Sequence, residues 1–500
     1  MNNSSRTIAK NAGFLMSSQI LTWLMSTVWI LIIPRHLGAT DVGKLELAAS
    51  LWVITSIMIS FGMDTYLNRE VARRPDQAGI LFSNSMWLRT LFFVVSLIVM
   101  AIYVGLENFP LDTIQLIVIF GVITLIDQYV ATCQVTLYGL EQMGPTALGG
   151  IAARAISVTL SVILVLMGFG VLAVALVNIP GSLFNLGIQF YALRRVEGLQ
   201  LRRFNWLFAR EILKKSLPFL VLAGSLTFYQ RVDFIIISYF VSEEQLGWYG
   251  AAGRFLGTLL FIPTVYMTAV FPALSRMQVS VSDSSTKLTR LSFNLLNLVA
   301  VPIGLGLLVI ANQLVVLVFG PDFAGTGPVL MVMGVVLIFM YQNTIIGMTL
   351  IASDRQKPWT RVIIIAAVLT IPLDLIFIPW CQQMFANGAI GGALAFVVTE
   401  AYMLTAGIRL LPKGTLNRAN LGYALRTVLS GLIMLASIWW LRDRFLLIPI
   451  TAGVVVYLIC IFSLRLVTPE MRNIMSLTIA AVKQRLGNKD VHPAVGNSTK

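Results

Sequence analysis

Charged residues are scarce in this sequence of 500 residues. Only 12% of the residues are charged, against about 25% in a typical soluble domain. The sequence has two histidines, His36 and His492, and both lie outside the apolar runs. A histidine-based metal or acid–base site is therefore not expected, and no Ser-His-Asp or Cys-His constellation can be assembled within apolar helices. The composition argues against an enzyme, and it predicts neither a cofactor nor a metal.

Cysteine is equally rare. Cys133, Cys381 and Cys460 lie far apart, in or beside apolar segments, and they match no metal or redox spacing. We interpret them as small buried core residues. The sequence also lacks a GxxxxGK(S/T) nucleotide-binding loop and a soluble domain to carry one. Chemistry driven directly by ATP is therefore not expected.

Long apolar runs dominate the rest of the sequence, which is 57% hydrophobic. A membrane span needs about 20 mostly apolar residues. The fold class that we expect is an all-α polytopic membrane protein with about 14 transmembrane helices. The predicted spans lie near residues 11–33, 45–66, 80–105, 113–138, 147–167, 171–193, 216–240, 248–272, 291–318, 328–352, 360–380, 389–408, 426–441 and 445–466.

The distribution of lysine and arginine predicts the orientation in the membrane. With a cytoplasmic N-terminus, only Arg35, Lys44, Arg442 and Arg444 of the 36 basic residues fall in outside loops. Because cytoplasmic loops carry the excess of positive charge, both termini are predicted to be cytoplasmic. The formal charge of +14 then follows from topology and does not indicate a nucleic-acid partner.

A weak internal repeat divides the predicted helices. PRHLGATDVGKLELAAS after the first span resembles SYFVSEEQLGWYGAAGR after the seventh, with Gly43 matching Gly247, and Pro145 later matches Pro358. Each repeat contains six helices, so both have the same orientation and are related by an axis along the membrane normal. This arrangement is typical of transporters that bind substrate between two lobes and work by alternating access.

The repeat predicts five domains. They are two pseudo-symmetric lobes and three flanking pieces: an N-lobe over residues 1–193, a basic cytoplasmic linker over 194–215, a C-lobe over 216–410, helices 13 and 14 within 411–466, and a cytoplasmic tail over 467–500. The linker and residues 469–486 have the pattern of amphipathic surface helices. Solvated basic loops at an anionic leaflet are as good an interpretation as a lipid-regulatory role.

Three arginines within the predicted spans are candidates for a substrate site, because ionisable groups are costly inside a membrane. They are Arg89, Arg231 and Arg254. A guanidinium fork binds two oxygens of a phosphate or carboxylate at once, so a cavity lined by these residues predicts an anionic substrate. Arg154 lies near enough to the inner boundary to reach the interface instead. The alternative is that these charges pair between helices as gate or packing contacts.

Four acids within the spans are candidates for ion coupling or gating: Asp127, Asp233, Asp374 and Glu400. An intramembrane carboxylate can bind a proton or Na⁺, and structural pairing is an equal alternative. Without a nucleotide-binding loop, transport would be driven by an ion gradient, a membrane potential or the substrate gradient.

Several segments together resemble one family. They are NAGFLMSSQILTWLMSTVWILIIPRHLGATDVGKLELA, FGMDTYLNREVARRP, YQRVDFIIISYFVSEEQLGWYGAAGRFLGTLLFIP followed by FPALSR, and VFGPDFAGTGPVL. In their order and spacing they resemble the polysaccharide flippases for O-antigen or capsule, in the multidrug/oligosaccharidyl-lipid/polysaccharide exporter superfamily.

The resemblance implies a function in cell-surface polysaccharide biosynthesis. The chain would move a polyprenyl-diphosphate-linked oligosaccharide from the inner to the outer leaflet of a prokaryotic plasma (inner) membrane. Membrane lipid, and the polysaccharide polymerase machinery, would be its partners. Five polar residues are of the types that hydrogen-bond to sugars or stack on them, with helix packing as the alternative for each: Tyr66, Gln134, Tyr229, Gln230 and Tyr341.

Two other transporter functions remain open. A lipid II flippase shares the fourteen-helix plan. An ion-coupled small-molecule or drug antiporter of the same superfamily is a different class, and intramembrane arginines argue against it when the drug is a cation. A membrane glycosyltransferase is not expected, because the outside loops are too short to carry a catalytic site.

Overall fold

A computed structural model describes residues 3–107, 109–196, 203–278 and 283–467. Within these ranges the regular structure is helical, and no β-strand occurs. In a bilayer every backbone polar group must be satisfied within the protein, and a helix does so within one segment. The all-α fold class predicted from composition is therefore confirmed.

The first element, α1 (Asn3–Ser60), contains the first two spans in one run. Gly38 separates them, because its φ of 81° and ψ of 169° lie outside the helical region. Residues with a Cβ atom rarely adopt a positive φ, so glycine is what permits the break here.

The other helices follow in chain order with short connections. In the first half they are α2 (Met63–Arg73), α3 (Ala78–Leu106), α4 (Leu111–Gly139), α5 (Met143–Leu166), α6 (Val171–Leu176) and α7 (Asn178–Arg194). In the second half they are α8 (Trp206–Phe240), α9 (Glu243–Leu259), α10 (Phe261–Gln278), α11 (Asp283–Phe319), α12 (Thr326–Ala352), α13 (Gln356–Phe385) and α14 (Ala389–Leu410). The last described helices are α15 (Arg418–Ile438) and α16 (Leu447–Ser463).

The number of spans agrees with the sequence. In the described part of the chain, eleven helices are long and apolar enough to cross a membrane, with α6 and α7 taken as one and the short polar α2 left out. The predicted fourteen is reached when α1 is counted as two spans at Gly38, the shorter apolar α16 is added, and α9 with α10 is counted as one. We use first half for α1–α7 and second half for α8–α14; the division into two lobes remains a prediction.

The helix α8 begins ten residues before the predicted span. Asn205 caps it, since its side-chain oxygen accepts hydrogen bonds from the backbone nitrogens of Leu207 at 3.0 Å and Phe208 at 3.3 Å. Ala209 and Ile212 are buried in an apolar cluster with α2, which stabilises helix here. Residues 206–215 of the predicted linker therefore belong to α8. The amphipathic helix predicted over 469–486 lies outside the described residues.

The two halves touch backbone to backbone at the end of the bundle near Gly38. A Cβ atom on Gly43 would lie 1.8 Å from the carbonyl oxygen of Glu243, and one on Gly247 would lie 1.9 Å from that of Ala39. Only glycine fits in such a contact. The two glycines that the repeat matched thus lie against each other in α1 and α9.

An ionic cluster surrounds this contact. The Lys44 ammonium group donates a hydrogen bond to Asp112 and lies 3.7 Å from Glu243 Oε2 and 3.9 Å from Asp41 Oδ1. Thr113 Oγ1 donates to Glu243 Oε1 at 3.0 Å. The cluster ties α1, α4 and α9 together at the end that the charge distribution predicts to be extracytoplasmic.

The helices α15 and α16 pack on α11. The Tyr457 hydroxyl donates to the Leu298 carbonyl oxygen at 2.8 Å. A Cβ atom on Gly431 would lie 2.5 Å from Val301 Cγ1, so the missing side chain brings α15 close to α11. These two helices therefore extend the second half through α11.

Candidate functional site

A cavity of about 690 Å³ lies between the two halves. Its walls come from α1, α4, α5, α6 and α7 on one side and from α8, α9, α12 and α14 on the other. Three arginines and three acids line it: Arg154, Arg231, Arg254, Glu46, Asp127 and Asp233. A concave site with convergent charged groups at the junction of two halves is where a transporter is expected to bind its substrate.

Arg231 and Arg254 share one partner across the two halves. Both belong to the second half, and both meet Glu46 of α1. The Arg254 Nε donates a hydrogen bond to Glu46 Oε1, and Arg231 lies 3.7 Å from Glu46 Oε2. The side chain of Glu46 is 5% exposed, whereas those of Arg254 and Arg231 are 25% and 36% exposed. The carboxylate is therefore covered while the arginines keep an open side.

Aromatic rings support both guanidinium groups. The Arg254 guanidinium carbon lies 4.1 Å from the ring centroid of Trp29, and that of Arg231 lies 5.5 Å from the ring of Phe234. Such cation–π contacts hold an arginine without occupying its hydrogen-bond donors. Donors remain for a ligand.

The first half contributes the opposite wall. Arg154 Nε donates to Ser26 Oγ at 3.0 Å, and Ser182 Oγ donates to Asp127 Oδ1 at 2.7 Å. Arg154 thus faces the cavity, so the interpretation that it only reaches the interface is not needed. Asp127, predicted for ion coupling or gating, also lines the cavity.

Arg89 does not line the cavity, which differs from the expectation. Its side chain is 0% exposed, and it donates to Asp64 and to Gln128, at 3.0 Å to the carbonyl oxygen and 2.7 Å to Oε1. A guanidinium enclosed this way joins α2, α3 and α4 and has no face for a ligand. Its contacts are those of a residue that packs helices together, the alternative given above, and we leave it out of the proposed substrate site.

The buried acids of the second half form two groups. Asp233 lines the cavity, accepts a hydrogen bond from the Tyr249 hydroxyl at 2.7 Å, and approaches Asp374 of α13. Glu400 of α14 accepts from Tyr229 at 2.9 Å and from Asn343 Nδ2 at 2.6 Å. Within the described ranges no lysine or arginine pairs with these three carboxyl groups.

Only one of the five residues predicted to contact sugar lines the cavity. Gln230 faces it. Tyr66, Tyr229 and Tyr341 are buried among helices, with the Tyr341 hydroxyl donating to the Leu259 carbonyl oxygen at 2.7 Å. Gln134 donates to the Tyr138 hydroxyl at 2.7 Å within α4. Helix packing, the alternative given for each, describes these four positions.

Glu46 is the site residue that sequence reasoning missed. It lies next to the predicted start of the second span, in VGKLELAAS, where a charge is expected at the membrane boundary. Because the helix resumes right after Gly38, Glu46 lies two turns inside. The repeat contained a signal for it. With Gly43 matched to Gly247, Glu46 matches Gly250, and Gly250 of α9 lies against Glu46 in the structure.

The fold and the cavity define a class: a polytopic membrane transporter with a charged site between two helical halves. The chain belongs to the polysaccharide biosynthesis protein family, whose model matches residues 8–278. A second model, lipid II flippase MurJ, matches residues 152–457. The expected flippase superfamily is thus confirmed, and with it a transporter and not an enzyme.

Curated relatives agree with this family. The probable low-salt glycan biosynthesis flippase of Haloferax volcanii is 24% identical over 376 residues, which covers 74% of this chain and 76% of the relative. The putative O-antigen transporter of Shigella dysenteriae is 22% identical over 369 residues, covering 73% and 89%.

Solved structures show the same fold. The lipid II flippase MurJ in an inward closed conformation aligns with a TM-score of 0.72 at 16% identity, covering 91% of this chain and 99% of that one. An inward-facing multidrug resistance MATE family transporter aligns with a TM-score of 0.59 at 17% identity, covering 78% and 94%. At these identities the likeness concerns the fold alone.

Proposed function

We propose that this protein moves a polyprenyl-diphosphate-linked oligosaccharide from the inner to the outer leaflet by alternating access of its two halves. The observation that carries the proposal is the pair of partly exposed arginines, Arg231 and Arg254, on the cavity wall. The relatives named as a glycan biosynthesis flippase and an O-antigen transporter support the cargo class. A prokaryotic inner membrane, cytoplasmic termini and a polymerase that uses the product belong to the same proposal.

The diphosphate is the part of the cargo that the arginines would hold. Each guanidinium presents a planar fork of donors, and a diphosphate offers oxygens to both forks at once. Arg154 on the opposite wall supplies a third cation. Inside a low-dielectric cavity such contacts are stronger than in water, which offsets the cost of taking phosphates out of solvent.

The sugars would occupy the polar remainder of the cavity, where Gln230 and Asn178 present amide groups. A volume of about 690 Å³ lies within the usual range for small-ligand sites. It suits the diphosphate with its first sugars, so a longer glycan requires the halves to move apart. The polyprenyl tail would stay in lipid.

We assign ion coupling to two acids that line the cavity, Asp127 and Asp233, and to two buried acids that do not line it, Asp374 and Glu400. Asp233 and Asp374 approach each other without a basic partner in the described residues. Two carboxyl groups held this way are stabilised when a proton or Na⁺ is bound between them. Asp127 and Glu400 are the further candidates.

A lipid II flippase is the second candidate function. It is favoured by the family model that matches residues 152–457 and by the fold likeness to MurJ. Both cargoes carry a diphosphate on a polyprenyl chain, so the arginines do not distinguish them.

Reconstitution into vesicles tests the proposal. Fluorescent polyprenyl-diphosphate glycan is added to one leaflet, and its crossing is followed by accessibility to an external quencher. The expected result is crossing with the glycan, and a loss of at least about tenfold in Arg231→Ala and in Arg254→Ala, because each removes a charge-assisted contact. Lipid II in parallel vesicles distinguishes the second candidate by faster crossing.

The matched control is Arg442→Ala, because Arg442 is exposed and its guanidinium contacts only near neighbours in the chain among the described residues, Asp443 and the ring of Trp439. In the Arg442→Ala variant the cargo should cross the bilayer at the wild-type rate. Wild-type rates in both cavity variants would contradict the proposed site.

A further inference from the structure

Glu46 occupies the place that the proposed function assigns to phosphate. Its two carboxylate oxygens meet two different arginines, Oε1 with Arg254 and Oε2 with Arg231. It lines the same cavity, yet its side chain is only 5% exposed. No step of the proposed transport uses this acid, although it contacts both cations on which cargo binding depends and offsets one of their two positive charges.

The second half is shaped to receive the Glu46 side chain. A Cβ atom on Gly250 would lie 2.5 Å from Glu46 Cγ and 3.3 Å from its Cδ. Gly250 is one turn before Arg254 on the same face of α9. Because Gly250 has no side chain, it leaves a slot in α9, and the Glu46 side chain of α1 passes through this slot to reach Arg254.

We propose that Glu46 is a built-in anion that occupies the diphosphate position in the empty transporter and that the phosphates of the cargo displace it. The proposal rests on the function proposed above, and it adds what selects the cargo and what links binding to movement. In the empty state the carboxylate joins the first half to the second half.

The charges decide which ligands displace Glu46. A diphosphate has more negative charge and more acceptor oxygens than one carboxylate, so it makes stronger paired contacts with both guanidinium groups. A neutral ligand or a cation has nothing to offer these arginines. Glu46 therefore acts as a specificity-determining residue against such ligands.

Displacement also provides a force for opening. Once phosphates lie on Arg231 and Arg254, the Glu46 carboxylate is a like charge at close range in a covered site, which is destabilising. It regains water only if α1 moves away from α9 and the slot opens. Cargo binding would thereby break the ionic contact between the halves.

Binding of farnesyl diphosphate to the purified full-length protein, measured by calorimetry, tests the proposal. Glu46→Gln keeps the shape and removes the competing charge. The expected result is binding about tenfold tighter than wild type, since one charge-assisted contact no longer has to be broken. Farnesol, which lacks phosphate, should show no such gain.

Glu244→Gln is the equal-charge control, because Glu244 lies on the same helix as Arg254 but is exposed and does not line the cavity. It should change the affinity less than threefold. An equal gain in Glu244→Gln would mean general electrostatics and would overturn displacement. Unchanged or weaker binding in folded Glu46→Gln would overturn it as well.

The variant Gly250→Ala tests the proposal without changing Glu46, by filling the slot that holds its side chain. It replaces the first test if Glu46→Gln does not fold. The added methyl group pushes Glu46 out of its slot, so farnesyl diphosphate should bind a few-fold tighter. Gly253→Ala is the matched control, because a Cβ atom there has no neighbour within 4 Å. Equal affinities in the two glycine variants would overturn the proposal.

The outcomes separate this inference from the proposed function. If wild-type protein does not bind farnesyl diphosphate, or if Arg254→Ala binds it equally well, the diphosphate site itself fails. If wild type binds and Arg254→Ala does not, but Glu46→Gln shows no gain, only the displacement of Glu46 fails.

Discussion

Two arginine sites in apolar helices look alike along the chain and differ in the fold. Arg89 is 0% exposed and its guanidinium contacts Asp64 and Gln128, which join three helices of the first half. Arg254 is 25% exposed, and its guanidinium stacks on Trp29 and meets an acid from the other half.

The difference shows that an intramembrane charge has two uses. An arginine whose hydrogen-bond partners all lie in its own half holds that half together. An arginine that bridges the halves and keeps one open side can exchange its partner. Mutation of Arg89 should therefore lower the free energy of unfolding, whereas mutation of Arg254 should lower the rate of transport.

The largest effect is expected at Arg89. Arg89→Ala removes the ion pair with Asp64 and two hydrogen bonds to Gln128. The free energy of unfolding should fall by about 3 kcal/mol. This is the low end of the range for a buried ion pair, because the Asp64 side chain is 43% exposed. Unfolding of the protein in detergent measures it. Transport per folded molecule should stay within about twofold of wild type, and a selective loss of transport would remove the distinction between the two sites.

The backbone contact between α1 and α9 near Gly38 should be nearly as sensitive. Gly43→Ala puts a methyl group where a carbonyl oxygen lies 1.8 Å away, and overpacking of this kind costs about 1–3 kcal/mol. Because α1 and α9 separate there, spin labels on the two helices should report a longer distance. Gly105→Ala, with no neighbour near its Cβ position, is the control. An unchanged distance would contradict a tight contact.

A smaller effect is expected for Arg254→Lys. The charge remains, but the planar fork is lost, so the crossing rate of the diphosphate cargo should fall about tenfold with unfolding changed by less than about 1 kcal/mol. Vesicle crossing and detergent unfolding are measured on the same preparation. A loss of stability larger than the loss of transport would make Arg254 a packing residue like Arg89.

The smallest effect is expected in the ionic cluster around Lys44. Lys44→Met removes contacts to Asp112 and Glu243, whose side chains are partly exposed, so unfolding should change by about 1 kcal/mol or less. The difference in free energy of unfolding between wild type and Lys44→Met should disappear in high salt, because salt screens exposed charges. A difference that persists in high salt would indicate a covered cluster.

The sequence by itself determined the all-α membrane fold, the number of spans and the family. These follow from properties that are local in the chain: apolar runs long enough to cross a bilayer, polar breaks between them, and the order of the family segments. Gly43 and Gly247 were also matched from the sequence. The lobe boundaries, the orientation and the roles of the four candidate acids stay predictions.

Only the tertiary structure decided which charges share a cavity. Arg89 and Arg254 have the same side chain and similar apolar surroundings in the sequence. Their environments differ because different helices pack against them in the folded protein. Glu46 joined the site because α1 bends at Gly38 and Gly250 leaves room for its side chain. Partners contributed by distant segments, Glu46 to Arg254 above all, are set by packing between helices, which no local pattern in the sequence contains.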